Sequence, residues 1–486
     1  MDLQQLDTIS TLEQLHNRKM SSVESLTYFL ERIERHNTAV NAVVTKDIEQ
    51  AMAKAKAADE ARANGESIGR LHGLPMTIKD TFEVVGMTAT AGANSLKYHH
   101  PNQDSVVARR LQDAGAIIFG KTNTPPYAMD VQTYNDLFGV TNNPWNLAHT
   151  AGGSSGGSAA ALAAGFTTLE MGSDIGGSIR TPAHFCGVYG HKPTHGVVPM
   201  HGHIPGPLGT KGHPDLAVAG PLGRSAKDLA LGLSLIAGSD SLNATGWQLK
   251  LPKPRHHKLS DFRIAVWLDD ENCSVDSEVI QVLETAVSTL ITVGAQIKEA
   301  KPAELNEILG IYYTLLASFT GASLPKSVYQ QYAEVKNDLA SYQAKFDLPD
   351  AFLTHVAGRT ASHRQWLGAN EKRAKMQYQL QAFFNEFDVL LTPVTPMAAP
   401  LHNNEGSMEA RKVLINGEKR PYVDHFPWIA LATMAGLPAT SAPIGFTKSG
   451  LPVNIQIIGP YLEDYTPIKF AELLAKTHGG AKFPNL

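Results

Sequence analysis

The feature that most constrains the fold is a pair of glycine- and serine-rich segments separated by one short alanine-rich stretch. Residues 152–158 read Gly-Gly-Ser-Ser-Gly-Gly-Ser, and residues 174–180 read Asp-Ile-Gly-Gly-Ser-Ile-Arg. Glycine adopts positive φ angles without steric cost, so both segments are expected to form tight loops. Residues 159–165 between them, Ala-Ala-Ala-Leu-Ala-Ala-Gly, predict a short helix that ends at a glycine and carries the first loop at its N-terminus.

Three familiar loop motifs are excluded by the sequence around the first segment. A Gly-x-Ser-x-Gly nucleophile elbow needs a strand just before the serine, and residues 146–150 do not predict one. A phosphate-binding loop needs a following Gly-Lys-Ser/Thr, which is absent. A dinucleotide-binding loop is disfavoured by the density of serines and by the same missing strand.

Two lysines end short apolar runs that predict buried strands. Lys79 follows the apolar run 74–78, and Lys121 follows 116–120. A buried ammonium costs several kcal/mol unless it is paired or neutral. The ordinary explanation of Lys79 is an ion pair with the adjacent Asp80 or a side chain that extends to solvent. The residues alone do not decide which lysine would serve as a base.

The two serine loops resemble the defining segments of the amidase signature family. The similarity runs from about residue 71 to residue 224 and returns at 388–393 and 436–459, whereas 240–385 carries no signature of the family. The resemblance implies an amide hydrolase in which Ser178 is the nucleophile, Ser154 is a bridging serine that follows a cis peptide, and Lys79 is the base.

The resemblance also implies supporting roles for residues around the two loops. The backbone N–H groups of the second loop would form an oxyanion hole, and their residues are Ile175, Gly176, Gly177 and Ser178. Met129 matches a substrate-contacting position, where Ser154 also contributes, and Lys121 matches a position without a catalytic role. Ser155, Asp174 and Arg180 are expected to support the loops, although Asp174 and Arg180 are alternatively solvated surface charges.

The chemistry needs these residue types. A serine hydroxyl is a poor nucleophile at neutral pH, so a base within reach must take its proton. Lysine is such a base only when it is neutral, and burial lowers its pKa toward this state. Adjacent glycines allow several backbone N–H groups to converge on one oxygen.

Composition excludes several other classes. A chain of 486 residues with 43% hydrophobic and 18% charged residues is typical of an enzyme with a large core, and its net charge of −4 gives no broad surface for nucleic acid. Two cysteines make no disulfide framework, and the 19 histidines show no metal-binding spacing, so no metal and no cofactor are expected. We find no signal peptide and no membrane span, and expect a cytoplasmic protein.

The predicted fold is α/β, a single large domain with a central mixed β-sheet covered by helices on both faces. Residues 1–70 are expected to form an N-terminal helical arm and 71–486 the catalytic domain, of which about 240–385 is a helix-rich part. Residues 263–268, 276–293 and 295–297 predict a strand, a helix and a strand. Tyr312 and Tyr313 are expected in the core, with a position over the active site as the alternative.

The main functional hypothesis is a free-standing amidase. It would hydrolyse a small amide, or a related ester or carbamate, with this molecule and a second copy of the chain as its partners and with no nucleic acid or membrane. The alternative is the glutaminase component of an aminoacyl-tRNA amidotransferase, which has a similar length and the same two loops. That family usually has Gly-Ser-Ser where this chain has residues 130–132, and threonine where Ile175 stands.

Overall fold

The centre of the molecule is a large mixed β-sheet. The computed structural model describes residues 6–66, 69–204, 206 and 208–486, which contain all the elements named below. The strands are β1 Val43–Lys46, β2 Pro75–Lys79, β3 Ile117–Thr122, β4 Tyr134–Asn135, β5 Gly139–Val140, β6 Asn142–Asn143, β7 Asn146–Thr150, β8 Leu169–Asp174, β9 Tyr189–Lys192, β10 Val218–Gly223, β11 Arg263–Val266, β12 Gln296–Glu299, β13 Val389–Pro393, β14 Lys412–Ile415, β15 Glu418–Pro421, β16 Ala439–Phe446 and β17 Pro452–Ile458.

Eight strands form the central sheet in the order β12-β11-β13-β17-β16-β9-β10-β8. The pairs of β11 with β12 and with β13 are parallel, and the other pairs are antiparallel. A smaller sheet, β1-β3-β2, packs with its strand β2 against the terminal strand β8 of the large sheet. The strands β2 and β8, which carry Lys79 and Asp174, therefore lie side by side.

Helices pack against these sheets and enclose the core. Helices α6, α7, α8 and α15 contact strands of the large sheet, and α5 contacts strands of both sheets. The helices are α1 Thr8–His16, α2 Ser22–Val40, α3 Ile48–Ala63, α4 Val106–Asp113, α5 Gly156–Ala164, α6 Arg180–Cys186, α7 Ala226–Ile236, α8 Ser277–Thr292, α9 Leu305–Gly321, α10 Lys326–Val335, α11 Leu339–Phe346, α12 Asp350–Gly358, α13 His363–Glu386, α14 Pro427–Met434 and α15 Tyr465–His478.

The expected α/β class with one large mixed sheet is confirmed. The strand, helix and strand predicted after residue 262 are β11, α8 and β12, and β11 pairs with β12 in parallel. Such a pair needs a crossover connection, which α8 provides. Helices α9 to α13 fill most of the part between residues 302 and 387, as expected.

The N-terminal segment contains more than helices. Helices α1, α2 and α3 are present, and Ser21 caps α2 in a capping box with Glu24. Strand β1 lies between α2 and α3 and pairs antiparallel with β3, so this segment completes the smaller sheet. Residues 1–5 and 67–68 lie outside the described part, and the boundary at residue 70 stays a prediction.

One local expectation is wrong. Residues 146–150 form strand β7, which pairs with β6 in a small antiparallel hairpin. The sequence Asn-Leu-Ala-His-Thr lacks the apolar run of a buried strand because its first three residues are exposed. The hairpin is separate from the large sheet, so β7 is not the central strand that a nucleophile elbow requires.

None of the helices in the residues that the structure describes combines the length and the apolar character that a membrane crossing needs.

Candidate active site

Lys79 is the last residue of β2 and is fully buried. The strand is buried along its whole length, which follows from its apolar sequence. The ammonium nitrogen Nζ donates to Ser154 Oγ at 2.7 Å and to Ser173 Oγ at 3.1 Å. The buried lysine therefore meets hydroxyl groups from both serine-containing segments.

The register of the smaller sheet separates the two candidate lysines. Lys79 is paired with Thr122, and Ile78 is paired with Lys121. Since successive side chains of a strand point to opposite faces, Lys79 and Lys121 point away from each other. Lys121 Nζ donates to the carbonyl oxygen of Phe82 and lies 3.8 Å from Asp80 Oδ1, so Asp80 is the partner of Lys121.

Burial determines the protonation state of Lys79. It lowers the pKa of the amine to about 7, although the negative charges of Asp174 and Glu170 act in the opposite direction. Ser154 and Ser173 are neutral partners that do not require a charged amine. A large fraction of Lys79 is therefore uncharged at neutral pH, as a general base must be.

The loop of Ser154 is held by close backbone packing. The peptide bond between Gly153 and Ser154 is cis, as the resemblance implies. A Cβ atom on Gly153 would lie 2.8 Å from backbone atoms of Asp130 and Gln132, so a larger residue does not fit. Helix α5 starts directly after this loop and ends at Gly165 in the left-handed conformation, as the sequence predicts.

Ser155 connects the first loop to the second. Its backbone N–H donates to the carbonyl oxygen of Ser178 at 3.1 Å. Its Oγ accepts from the backbone N–H of Ser173 at 3.4 Å. These two contacts place Ser178, which is 6% exposed, beside the buried Ser154.

The second loop connects β8 to α6 and is supported by a buried ion pair. Arg180 donates to both carboxylate oxygens of Asp174, at 2.8 and 3.0 Å, and both side chains are fully buried. Burial acts to raise the pKa of Asp174, but the Arg180 guanidinium holds it below its usual value. The alternative of solvated surface charges is therefore wrong for this pair.

The N–H groups of the second loop have different partners. Gly177 N–H donates to Asp174 Oδ1 at 3.0 Å, and Ile179 N–H donates to Asp174 Oδ2 at 3.1 Å. Within the described chain we find no hydrogen bond from the N–H of Gly176 or of Ser178. Of the four donors that the resemblance implies, Gly177 is thus already engaged, while Gly176 and Ser178 are open to a ligand.

Two residues beside the loops were missed by the sequence analysis. Ser173 contacts Lys79 directly, and its only signal is a hydroxyl at the end of a buried strand next to Asp174. Tyr312 on α9 donates through its hydroxyl to the carbonyl oxygen of Ile175 at 3.2 Å. It is fully buried and also touches the loop, so the expectation of core packing and its alternative both apply to Tyr312.

Aromatic and apolar side chains surround the second loop. A Cβ atom on Gly176 would lie 3.2 Å from Phe426 Cε1, and one on Gly177 would lie 3.1 Å from Ile429 Cγ2. Met129 follows a short 3-10 turn and is 47% exposed, and its contact with substrate stays a prediction. Within the described residues, no group of three His, Cys, Asp or Glu side chains could hold a metal ion.

Comparison with known proteins assigns the family. A family model described as Amidase matches residues 24–467. The chain belongs to the amidase family. A bacterial aryl acylamidase of the amidase signature enzymes has a similar structure, with 26% identity and a TM-score of 0.80, and covers 97% of this chain and 96% of its own. The resemblance inferred from the two serine loops is confirmed.

Other members of the amidase family that resemble this chain are components of a tRNA-dependent enzyme. A glutamyl-tRNA(Gln) amidotransferase subunit of Synechococcus sp. (strain CC9605) is 34% identical over 96% of this chain and 94% of its own length. The structure of a glutamyl-tRNA(Gln) amidotransferase subunit from Thermotoga maritima has 26% identity and a TM-score of 0.75, and covers 100% of this chain and 98% of its own.

These relatives correct the expectation about partners. The sequence analysis expected a small amide, a second copy of the chain and no nucleic acid, because the net charge of −4 indicates no basic surface. That expectation is wrong, since full-length relatives are named as one subunit of an enzyme that acts on a tRNA. Net charge reports on direct electrostatic binding of nucleic acid, and it is silent about membership in a complex that binds it.

Proposed function

We propose that this protein cleaves a carboxylic amide through an acyl-enzyme on Ser178, with Lys79 as the base and Ser154 as the proton relay. The observation that carries the proposal is the contact of 2.7 Å between Ser154 Oγ and a fully buried Lys79 whose pKa is lowered to about 7. A neutral amine beside a serine hydroxyl is the activated arrangement that an otherwise weak nucleophile needs.

Acylation moves one proton along the three side chains. As Ser178 Oγ attacks the carbonyl carbon of the amide, its proton passes to Ser154 while the proton of Ser154 passes to Lys79. When the tetrahedral intermediate collapses, the C–N bond breaks and the nitrogen takes a proton from Ser154, which Lys79 replaces. Water then attacks the acyl group by the same route, and the carboxylic acid is released.

Backbone N–H groups of the second loop stabilise the oxyanion in this proposal. Gly176 and Ser178 supply the open donors, together with Ile175, and Gly177 supports them through Asp174. One such donor contributes about 3 to 4 kcal/mol to the stabilisation of a transition state. Ser155, Asp174 and Arg180 hold the loop, and Met129 contacts the substrate.

A second, more specific candidate is the glutaminase component of a glutamyl-tRNA(Gln) amidotransferase. The names of the relatives, at 34% identity over 96% of the chain, favour this role over a free-standing amidase. In this role the amide is that of glutamine, and the released ammonia passes to a partner protein that works on the aminoacyl-tRNA. We propose a cytoplasmic location on the same ground.

Labelling by a fluorophosphonate tests the chemistry without knowledge of the substrate. The wild-type protein should be labelled at Ser178, and Ser178→Ala should abolish the label. Ser260→Ala, which removes an exposed serine, should leave it unchanged. Labelling that survives in Ser178→Ala would remove Ser178 as the nucleophile.

Release of ammonia separates the two roles. The isolated chain and the chain purified with its natural partners are each given glutamine and a simple aryl amide. Release from glutamine that requires the partners supports the amidotransferase role. Turnover of the aryl amide by the isolated chain, with glutamine unchanged in both samples, would support a free-standing amidase.

A further inference from the structure

Glu170 lies in the middle of β8 and has no part in the reaction described above. Its side chain is fully buried. A carboxyl group away from water costs several kcal/mol unless hydrogen bonds compensate for it. Its position close to the catalytic strands therefore calls for a physical role.

Hydroxyl groups from three other elements surround this carboxyl. Thr77 on β2 donates to Oε1, and Thr122 at the end of β3 donates to Oε2 at 3.5 Å. Ser158 on α5 also forms a hydrogen bond with Glu170 and lies 2.9 Å from the hydroxyl of Thr122. All three partners are buried and uncharged. One carboxyl thus connects β2, β3, β8 and α5.

These elements carry the reacting groups. Thr77 is two residues before Lys79, on the same face of β2. Ser158 lies in the first turn of the helix that follows Ser154. Glu170 belongs to the strand that carries Ser173, the second partner of Lys79. A shift of any of these elements would change the distance between Lys79 and Ser154.

We propose that Glu170 is a positioning residue for proton transfer, holding the strand of Lys79 against the helix of Ser154 through Thr77 and Ser158. This inference rests on the proposed function, because it assigns a role relative to Lys79 as the base. It adds a residue that touches neither the substrate nor the reacting atoms.

The charge of Glu170 gives this role a measurable signature. Burial raises the pKa of Glu170 to about 8, so the carboxyl is mostly protonated at neutral pH. When Glu170 ionises, its negative charge raises the pKa of Lys79. The ionisable groups that face Lys79 are Asp174, Glu170 and His203, and burial lowers the pKa of His203 to about 3, so His203 is neutral. Lys121 is the other lysine whose pKa Glu170 raises, with burial as the larger, opposing effect.

Two substitutions separate positioning from charge. Glu170→Gln keeps the shape and the hydrogen-bonding capacity but cannot ionise. Its rate should rise at lower pH than that of the wild-type protein, by about half a pH unit or more, because a negative neighbour of Lys79 is lost. Glu170→Met keeps the volume but loses the hydrogen bonds, and its rate should fall by about tenfold or more as the reacting groups lose their orientation.

The readout is the rate constant for labelling of Ser178 by a fluorophosphonate, from about pH 6 to about pH 10, with folding checked by circular dichroism. Asp228→Asn is the matched control, since Asp228 is another fully buried carboxyl whose pKa burial raises, in this case to about 7. It is not among the charges that act on Lys79, so its profile should match that of the wild-type protein.

The outcomes are distinguishable. A shifted profile for Glu170→Gln together with a slow, folded Glu170→Met supports the proposal. If Glu170→Met does not fold, the profile of Glu170→Gln alone decides. A labelled wild-type protein whose Glu170 variants keep its rate and profile overturns the role of Glu170 only. A wild-type protein without any label at Ser178 overturns the proposed function and this role with it.

Discussion

Lys79 and Lys121 lie on neighbouring parallel strands, one register position apart, and point to opposite faces of the same sheet. Lys79 contacts two serine hydroxyls, and Lys121 contacts a carbonyl oxygen and a carboxylate. Both amines are fully buried, so burial alone does not distinguish them. The register of β2 with β3 does.

Methionine at each lysine should give opposite results. Lys79→Met should lower the labelling rate of Ser178 by roughly 10²- to 10⁴-fold with little loss of stability, because a general base is removed. Lys121→Met should leave the labelling rate close to wild type but reduce the free energy of unfolding by about 3 to 5 kcal/mol, since Asp80 stays buried without its partner. Labelling and urea denaturation measure the two effects. Equal losses of labelling in two folded variants would contradict the choice of Lys79.

The rate should depend on pH through Lys79. Below the lowered pKa of about 7 the amine is protonated and cannot accept a proton, and above it the amine is free to do so. The rate constant for acylation should therefore rise as the pH passes through about 7 and then level off. Stopped-time labelling from about pH 5 to about pH 9 measures this profile. A rate that is constant across the range would exclude a titrating lysine.

Tyr312 should affect catalysis through the backbone. The carbonyl of Ile175 and the N–H of Gly176 belong to one trans peptide group and point in opposite directions. The hydrogen bond from the Tyr312 hydroxyl to that carbonyl thus fixes the direction of an open donor. Tyr312→Phe should lower kcat about fivefold, which corresponds to a net hydrogen bond of about 1 kcal/mol, with little change in KM.

Tyr313→Phe is the matched control for Tyr312. Tyr313 is the next residue of the same helix and is buried against Phe352 and His355. Its substitution should leave kcat near the wild-type value. A larger effect from Tyr313→Phe than from Tyr312→Phe would show that general packing of α9, and not the contact with Ile175, controls the loop.

The ion pair of Asp174 and Arg180 should be a major source of local stability. Arg180→Met leaves a buried carboxylate without its partner and should reduce the free energy of unfolding by about 3 to 5 kcal/mol. Arg35→Met is the control, because the ion pair of Arg35 with Glu31 is mostly exposed and should contribute less than about 1 kcal/mol. Urea denaturation of both variants measures the difference. Similar losses in the two would contradict a structural role of the buried pair.

The sequence was informative where chemistry and local conformation coincide. The glycine and serine loops, the helix that ends at Gly165 and the strands that end near Lys79 and Lys121 follow from local rules and from the family resemblance. The choice between the lysines depends on strand register, which the residues alone leave open. The resemblance supplied that choice, and the register gives its physical reason.

The remaining features depend on contacts between distant segments. Tyr312 reaches Ile175 from a part of the chain without a family signature. Glu170 meets Thr77, Thr122 and Ser158 only because β2, β3, β8 and α5 converge. Strand β7 is stabilised by its hairpin partner β6, and its own sequence carries little strand signal.

The close packing at Gly153 divides the protein into a rigid and an adaptable side. The backbone atoms 2.8 Å from its missing side chain leave the neighbourhood of Ser154 no freedom to accept larger residues. The opposite wall is formed by Tyr312 and Phe426, side chains from α9 and from the segment before α14, which are replaceable without altering either loop. New substrate preferences can therefore arise by exchange of residues on this wall while the reacting groups stay as they are.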